Sequence, residues 1–220
     1  IQSIGDGVFT GKASITEVII PAYVSSVGAS AFESCSGLSK VTVNGPRNND
    51  LTIGENAFAA CAILEEILFE GGSNNGNGFI TIGTSAFAGC EMLDKLTVGE
   101  NVNIALIGDY AFHKDTALNE LNFAESAEIL SIGEHAFEQC LSIKEYVVHA
   151  STTSVGSYAF AGCSYLEAVE FAPNGGQVSF GQGVFQDCVR LTTIKLPATL
   201  SGFDGSVFDG CEHINNIEVD

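Results

Sequence analysis

Phenylalanine recurs along this chain at Phe9, Phe32, Phe58, Phe87, Phe112, Phe137, Phe160, Phe185 and Phe208, at spacings of 23, 26, 29, 25, 25, 23, 25 and 23 residues. Around each one stands the same pattern. An aliphatic residue or Phe is followed by Gly, two variable residues, Ala or Val, and the Phe. Two variable residues, often a Cys, and a Leu-like position then follow, and two residues later an apolar–variable–apolar triplet. The segment Val155-Gly-Ser-Tyr-Ala-Phe-Ala-Gly-Cys-Ser-Tyr-Leu-Glu-Ala-Val-Glu-Phe171 carries the whole pattern. A unit this short cannot bury its own apolar face, so nine copies must stack on one another to make a continuous core.

From Ala159 through Phe160 to Cys163 and Leu166 the apolar residues fall three or four apart, which predicts a turn or two of helix. Residues 166–171 then alternate, predicting a short strand with one face inward. A second brief extended piece precedes each Gly, as in Thr81-Ile82 and Ser131-Ile132. The expected architecture is therefore a repeat solenoid, α/β or mainly β, of nine coils with one short parallel strand per coil. At about 4.8 Å per strand the sheet is on the order of 40 Å long. The recurrent Gly marks a tight turn or a close approach of backbones. Asp204 replaces it in the last repeat, and Lys12 holds the cysteine position in the first. Both irregularities fall at the ends, where repeats commonly degrade.

The pattern resembles the BspA-like leucine-rich repeat family, whose unit reads I-G-x-x-A-F-x-x-C-x-x-L-x-x-I-x-I-P. The stretches Ile20-Pro-Ala-Tyr-Val-Ser-Ser-Val-Gly28 and Leu196-Pro-Ala-Thr-Leu-Ser-Gly-Phe203 are especially close to it. The resemblance covers residues 1–220. It implies a right-handed leucine-rich-repeat superhelix of the kind found in surface and secreted proteins of bacteria and some protists, with adhesion to host proteins or other cells as the associated role. It also implies an extracellular or cell-surface location, and it brings no shared catalytic residues. A single solenoid domain is expected over 1–220. It is expected to be a segment of a longer chain, because the sequence opens in mid-pattern at Ile1 and stops just after a strand-like stretch at Asp220.

Departures from a 23-residue period fall between the strand and the next Gly: residues 44–50, 70–78, 99–102, 124–127 and 172–176. Insertions at one point of each coil project from one edge of the solenoid, and loops are where repeat proteins often place recognition. Asn48, Asn49, Asn74, Asn75 and Asn77 are the candidate contact residues there. Such Gly/Asn-rich loops are equally well explained as tolerated, since lengthening a loop costs little.

The strand supplies the other candidates. Its first outward column reads Glu17, Lys40, Glu66, Lys95, Glu120, Glu145, Ala168, Thr193, Asn216, so the first five alternate in sign and neighbours are expected one strand spacing apart. This is a ladder that can satisfy itself in water or offer a patterned face to a partner. The second outward column begins Ile19, Thr42, Leu68, Thr97, Asn122, Val147, in which Ile19, Leu68 and Val147 are expected as exposed apolar points.

Nothing in the sequence builds a catalytic centre. The seven cysteines share one pattern position, interrupted by Asp115, and show no C-x-x-C clustering. They read as buried thiols packing like small apolar residues rather than as metal ligands. His113, His135, His149 and His213 occupy variable slots, solvent-facing or loosely paired. Asp187, Asp204 and Asp209 could approach one another across two coils and hold Ca²⁺, but their spacing matches no calcium-loop pattern. The Gly-rich stretch 71–78 lacks the order of a phosphate-binding loop. No enzyme activity, cofactor or metal is expected.

The chain carries 27 acidic against 8 basic residues, a formal charge of −19. That excludes nucleic acid and anionic lipid surfaces as partners, since both need clustered Lys and Arg. No apolar run approaches the roughly 18 residues of a membrane span, so no membrane insertion is expected. The expected role is a non-catalytic surface or secreted interaction and adhesion module, binding a protein or glycan through the sheet face or the edge loops. The alternative is a structural spacer or filament subunit stacking end to end on other copies of itself, because neither end carries a polar capping element.

Overall fold

The computed structural model describes residues 2–45, 49–71, 78–197, 200, 203 and 205–219. In chain order the strands are β1 (Ser3–Ile4), β2 (Glu17–Ile20), β3 (Ser26–Val27), β4 (Lys40–Asn44), β5 (Leu51–Ile53), β6 (Glu66–Glu70), β7 (Phe79–Ile82), β8 (Lys95–Val98) and β9 (Asn103–Ile107). They continue with β10 (Glu120–Phe123), β11 (Glu128–Ile129), β12 (Ser131–Ile132), β13 (Glu145–Val148), β14 (Ser154–Val155), β15 (Ala168–Phe171), β16 (Ser179–Phe180), β17 (Thr193–Leu196) and β18 (Asn216–Val219). The parallel strand after each Leu-like residue is present in all nine coils. The extended piece before each Gly is also a strand, so most coils carry two.

The strands before the glycines form one continuous sheet in the order β1-β3-β5-β7-β9-β12-β14-β16, with β11 also paired to β9. The strands after the Leu-like position form two separate sheets, β2-β4-β6-β8-β10 and β13-β15-β17-β18. Every pairing is parallel and joins consecutive coils, as stacking of like units requires.

The helical turn expected from Ala159 to Leu166 does not form, and no helix occurs among the described residues. The reason lies in the backbone. Tyr158 has φ 59° and Gly162 φ 70°, whereas an α-helix needs φ near −63° throughout. The N–H groups of Tyr158, Phe160 and Gly162 donate to the carbonyls of Gln182, Val184 and Gln186 in the next coil. The intervening N–H groups of Ala159, Ala161 and Cys163 close turns onto Gly156, Tyr158 and Phe160. Alternate amides thus serve the neighbour and the local turn, and a three-to-four spacing of apolar residues is produced without a helix. The same pair of left-handed residues recurs as Ser30/Ser34, Asn56/Ala60, Tyr110/Lys114 and His135/Gln139.

Inside, each element of the pattern becomes a column. The nine phenylalanine rings stack from Phe9 to Phe208 with centroids 5.0–5.7 Å apart and planes within 24° of parallel. The cysteine column runs beside it, and all seven cysteines are free. Each thiol donates to the phenylalanine carbonyl of the preceding coil, from Cys35 to Phe9 at 3.1 Å through to Cys211 and Phe185 at 3.0 Å. A small apolar side chain with one weak donor is what that slot takes. Burial pushes the thiols of Cys140 and Cys163 up, so they stay neutral. The recurrent Gly is there for close approach: a Cβ on Gly156 would stand 2.6 Å from Glu134 N and Gly133 C of the coil below.

Candidate functional site

The outward charge ladder forms as far as it alternates. Glu17, Lys40, Glu66, Lys95 and Glu120 are direct partners in successive strands. Lys40 Nζ lies 2.8 Å from Glu66 and Lys95 Nζ 3.3 Å from Glu120. The hydrogen bond and charge of Glu66 raise the Lys40 ammonium above its ordinary value. The Asn122 amide and then Lys95 lower the Glu120 carboxyl.

The next step breaks the ladder. Glu145 does not follow Glu120: among the described residues β10 pairs only with β8, and β13 only with β15. Continuing the register would set Glu145 directly against Glu120, and like charges in facing positions destabilise a strand pair. It would also set Tyr146 against Leu121, in a column otherwise filled by Val18, Val41, Ile67, Leu96, Val169, Ile194 and Ile217. The Tyr146 ring instead packs on Phe160 of the following coil, with ring centroids 4.2 Å apart. Leu121 and Phe123, the inward residues of β10, are consequently only half-buried, whereas their counterparts Leu96 and Val98 in β8 are buried. The opposite side of the coil does not open. The continuous sheet, the Phe112–Phe137 stack at 5.1 Å and the hydrogen bonds from Tyr110, Phe112 and Lys114 to the next coil all cross the same junction.

The result is a cleft of about 550 Å³. Leu121, Phe123, Tyr146 and Val147 line its length, with Glu125 and Glu145 at its rim. Ala172, Pro173 and Asn174 close one end, so two of the edge insertions, 124–127 and 172–176, contribute to it. Two side chains tether it. Ser142 Oγ donates to Thr116 O at 2.8 Å, and His149 Nε2 lies 3.2 Å from Ala124 O. A carbonyl accepts only, so Nε2 carries the proton. His149 Nδ1, 2.9 Å from Ser151 Oγ, then accepts that hydroxyl, which itself accepts the Ile129 N–H. In neighbouring coils a backbone amide fills the role of His149, as Ala124 N–H does to Val98 O and Ala172 N–H to Val148 O.

The remaining candidates are scattered. Ile19 and Val147 are exposed at 56% and 47%, while Leu68, expected as an exposed apolar point, is half-buried between its neighbours. Asn49 spends its amide on Val24 O and Asp50 O. Asn48, Asn74, Asn75 and Asn77 lie outside the described residues, as does Asp204. Among the described residues no group of three His, Cys, Asp or Glu is arranged to hold a metal ion. Nor is any helix among the described residues long and apolar enough to cross a membrane. The histidines prove more engaged than their variable slots suggested. His135 Nδ1 lies 3.0 Å from Glu138 Oε2, and His113 Nδ1 lies 3.1 Å from the same oxygen without hydrogen-bond alignment. Burial, opposed by Glu138, holds the His113 imidazole below its ordinary value.

Asp115, which interrupts the cysteine column, is fully buried. Its Oδ1 accepts the Cys90 N–H at 2.8 Å and its Oδ2 has no hydrogen-bond partner. Burial pushes its carboxyl well above the ordinary carboxylate range. It is sealed in the core and does not line the cleft.

The sequence matches the BspA type leucine rich repeat region over residues 1–104 and 80–215, in six copies. Among solved structures, a leucine-rich repeat protein from Bacteroides ovatus is similar at 20% identity over 100% of this chain and 76% of that one, with a TM-score of 0.51. A leucine rich cell surface protein from Faecalibacterium prausnitzii is 20% identical over 100% and 83%, with a TM-score of 0.42. The leucine rich repeat protein of T. pallidum is 24% identical over 80% and 77%, with a TM-score of 0.48. The likeness to the Bacteroides protein is one of fold. No curated protein matches the chain. With the repeat signature running through residues 1–215 and its fold seen in the stacked coils, this chain belongs to the BspA-type leucine-rich repeat family.

Proposed function

We propose that this chain is a non-catalytic recognition module, displayed at a cell surface or secreted, that binds a protein partner across its strand-ladder face. The cleft between β10 and β13 is the centre of that contact. The observation that carries this reading is the half-burial of Leu121 and Phe123, two core-column residues open to solvent in a concave, carboxylate-rimmed site. Apolar side chains gathered in a cleft are where binding energy concentrates. The family membership favours recognition over chemistry. So does the placement of the strongly perturbed acid, Asp115, and of the raised thiols Cys140 and Cys163, all of which are enclosed in the core.

Site-directed photocrosslinking in the full-length protein on its native cells tests it. A benzoylphenylalanine at Val147 is expected to capture one defined protein, and the same group at Ala60, on the turn face, is not. Equal capture from both positions overturns the placement. A protease-resistant, glycosidase-sensitive adduct at Val147 overturns the choice of protein over glycan.

A further inference from the structure

We infer that the cleft accepts an extended segment of the partner polypeptide as an added strand between β10 and β13, with a basic residue followed by an apolar–variable–apolar triplet. This deepens the reading above and rests on it for the location of the site.

The backbone supplies the first argument. In a parallel ladder both main-chain groups of a residue face one neighbour, and those of the next residue face the other. Ala124 N–H donates to Val98 O, and Ala172 N–H to Val148 O. Leu121 and Phe123 therefore direct N–H and C=O toward the opening, and from its far wall so do Glu145 and Val147. Among the described residues these groups find no backbone partner across it. Two unpaired parallel edges facing each other would satisfy an inserted strand on both sides, whereas addition at an open sheet edge satisfies one.

The dimensions agree. Almost all Cα pairs between β10 and β13 lie more than 8 Å apart. Paired strands stand about 4.8 Å apart, so an inserted strand needs about 9.6 Å between its neighbours, and a separation beyond 8 Å is in the direction that it requires. Each wall is four residues long, about 13 Å, so four residues of ligand fill it.

The side chains specify the sequence. The outward column reads Glu17, Lys40, Glu66, Lys95, Glu120, then the opening, then Glu145, so the missing member of the alternation is a cation. Glu125 adds a further carboxylate at the rim. The inward slots lie between Leu121 and Tyr146 and between Phe123 and Val148, and both demand apolar residues. The slot between Asn122 and Val147 faces outward. The chain's own strands illustrate the solution: β4 reads Lys-Val-Thr-Val and β8 reads Lys-Leu-Thr-Val, each flanked by a glutamate-led strand on both sides. An acidic segment is repelled, which disfavours most of this chain's own sequence as the occupant.

The probe is a blocked synthetic peptide, Gly-Ser-Lys-Leu-Thr-Val-Ser-Gly, titrated into the intact protein with amide exchange followed by NMR. Saturable binding is expected, with exchange at Leu121, Phe123, Glu145 and Val147 slowed by about tenfold or more as their N–H groups become paired. Replacing the peptide lysine by glutamate is expected to weaken binding by about tenfold. Glu145→Lys, an exposed substitution that leaves the core intact, removes most of the preference between the two peptides, because the slot then has Glu120 on one side and a lysine on the other. Binding without protection of those four amides, or indifference to the lysine, overturns strand insertion. Absence of binding while Val147 still crosslinks to its protein overturns this inference and leaves the recognition reading standing. Absence of both removes the recognition reading itself.

Discussion

Replacing Asp115 with cysteine should stabilise the protein. In seven other coils this slot holds a thiol whose S–H reaches the phenylalanine carbonyl of the coil below. In the fifth coil it holds a buried carboxyl with one oxygen unpartnered. A buried polar group left unsatisfied costs about 1–3 kcal/mol. The hydrogen bond that Asp115 does accept, from Cys90 N–H, is not lost without replacement, because in other coils that amide closes a turn onto its own phenylalanine, as Cys140 N–H does to Phe137 O. Asp115→Cys is therefore expected to gain about 2 kcal/mol at neutral pH, or roughly 4–8 °C in melting temperature for a chain of this size. The gain depends on pH with a definite sign. The carboxyl's folded value is raised, so between the ordinary carboxylate range and that raised value the native state holds more protons than the unfolded one. Stability from this group is present at low pH and lost as pH rises through the folded value. The gap between variant and parent should thus narrow from pH 7.5 to pH 5. The chain has no tryptophan, so urea unfolding followed by circular dichroism is the assay. A variant no more stable than the parent at pH 7.5, or a gap that does not change with pH, would refute the account of Asp115 as an incompletely satisfied carboxyl, raised by burial, in the thiol column. Asp115→Asn, which keeps an acceptor for Cys90 N–H but cannot titrate, should remove the pH dependence while recovering less stability.

Three further outcomes follow from the coil geometry. Ala60→Gly, on an exposed residue held at φ 56°, should stabilise by about 0.5–1 kcal/mol, because relief of the left-handed conformation outweighs the added chain entropy; an equal loss in urea unfolding would contradict it. Gly156→Ala should destabilise by about 3 kcal/mol, since its Cβ meets backbone of the preceding coil, and a melting temperature within 2 °C of the parent, roughly 1 kcal/mol, would show that the coils can spread. The double substitution Glu145→Lys with Tyr146→Leu restores an alternating charge and an aliphatic inward residue. It should close the cleft, read as slowed amide exchange at Leu121 and Phe123 without any peptide.

The stacking, the strand after each Leu-like position and the phenylalanine and cysteine columns were legible because repetition supplied nine independent copies of the same local evidence. The register of the charge column was legible for the same reason. The turn segment reads as helix in the sequence because the spacing of Ala159, Phe160, Cys163 and Leu166 is common to a helix and to a chain with two left-handed residues. Gly162 is a hint of the latter, whereas Tyr158 and His135 are not residue types that announce a positive φ. The cleft was invisible to the repeat pattern, since β10 and β13 each match it well. Its signals were two side chains, the second consecutive glutamate at Glu145 and the tyrosine at Tyr146 in an aliphatic column. Their weight depends on what faces them from the neighbouring coil.

The phenylalanine stack and the continuous sheet pass unbroken from the fifth coil to the sixth, while the opposite ladder stops there. Mechanically the molecule is then two stiff rods, of five and four coils, joined by stack and sheet along one side and by only the Ser142 and His149 tethers described above on the other. In an array whose cohesion is the sum of contacts between adjacent units, that junction is the most compliant. Pulled from its ends, the chain should yield first by bending open at this joint, and its two blocks should unfold as separate events. A segment lodged in the opening would splint the joint and merge the two events into one, so that extension traces of a single molecule would report occupancy without any label on the ligand.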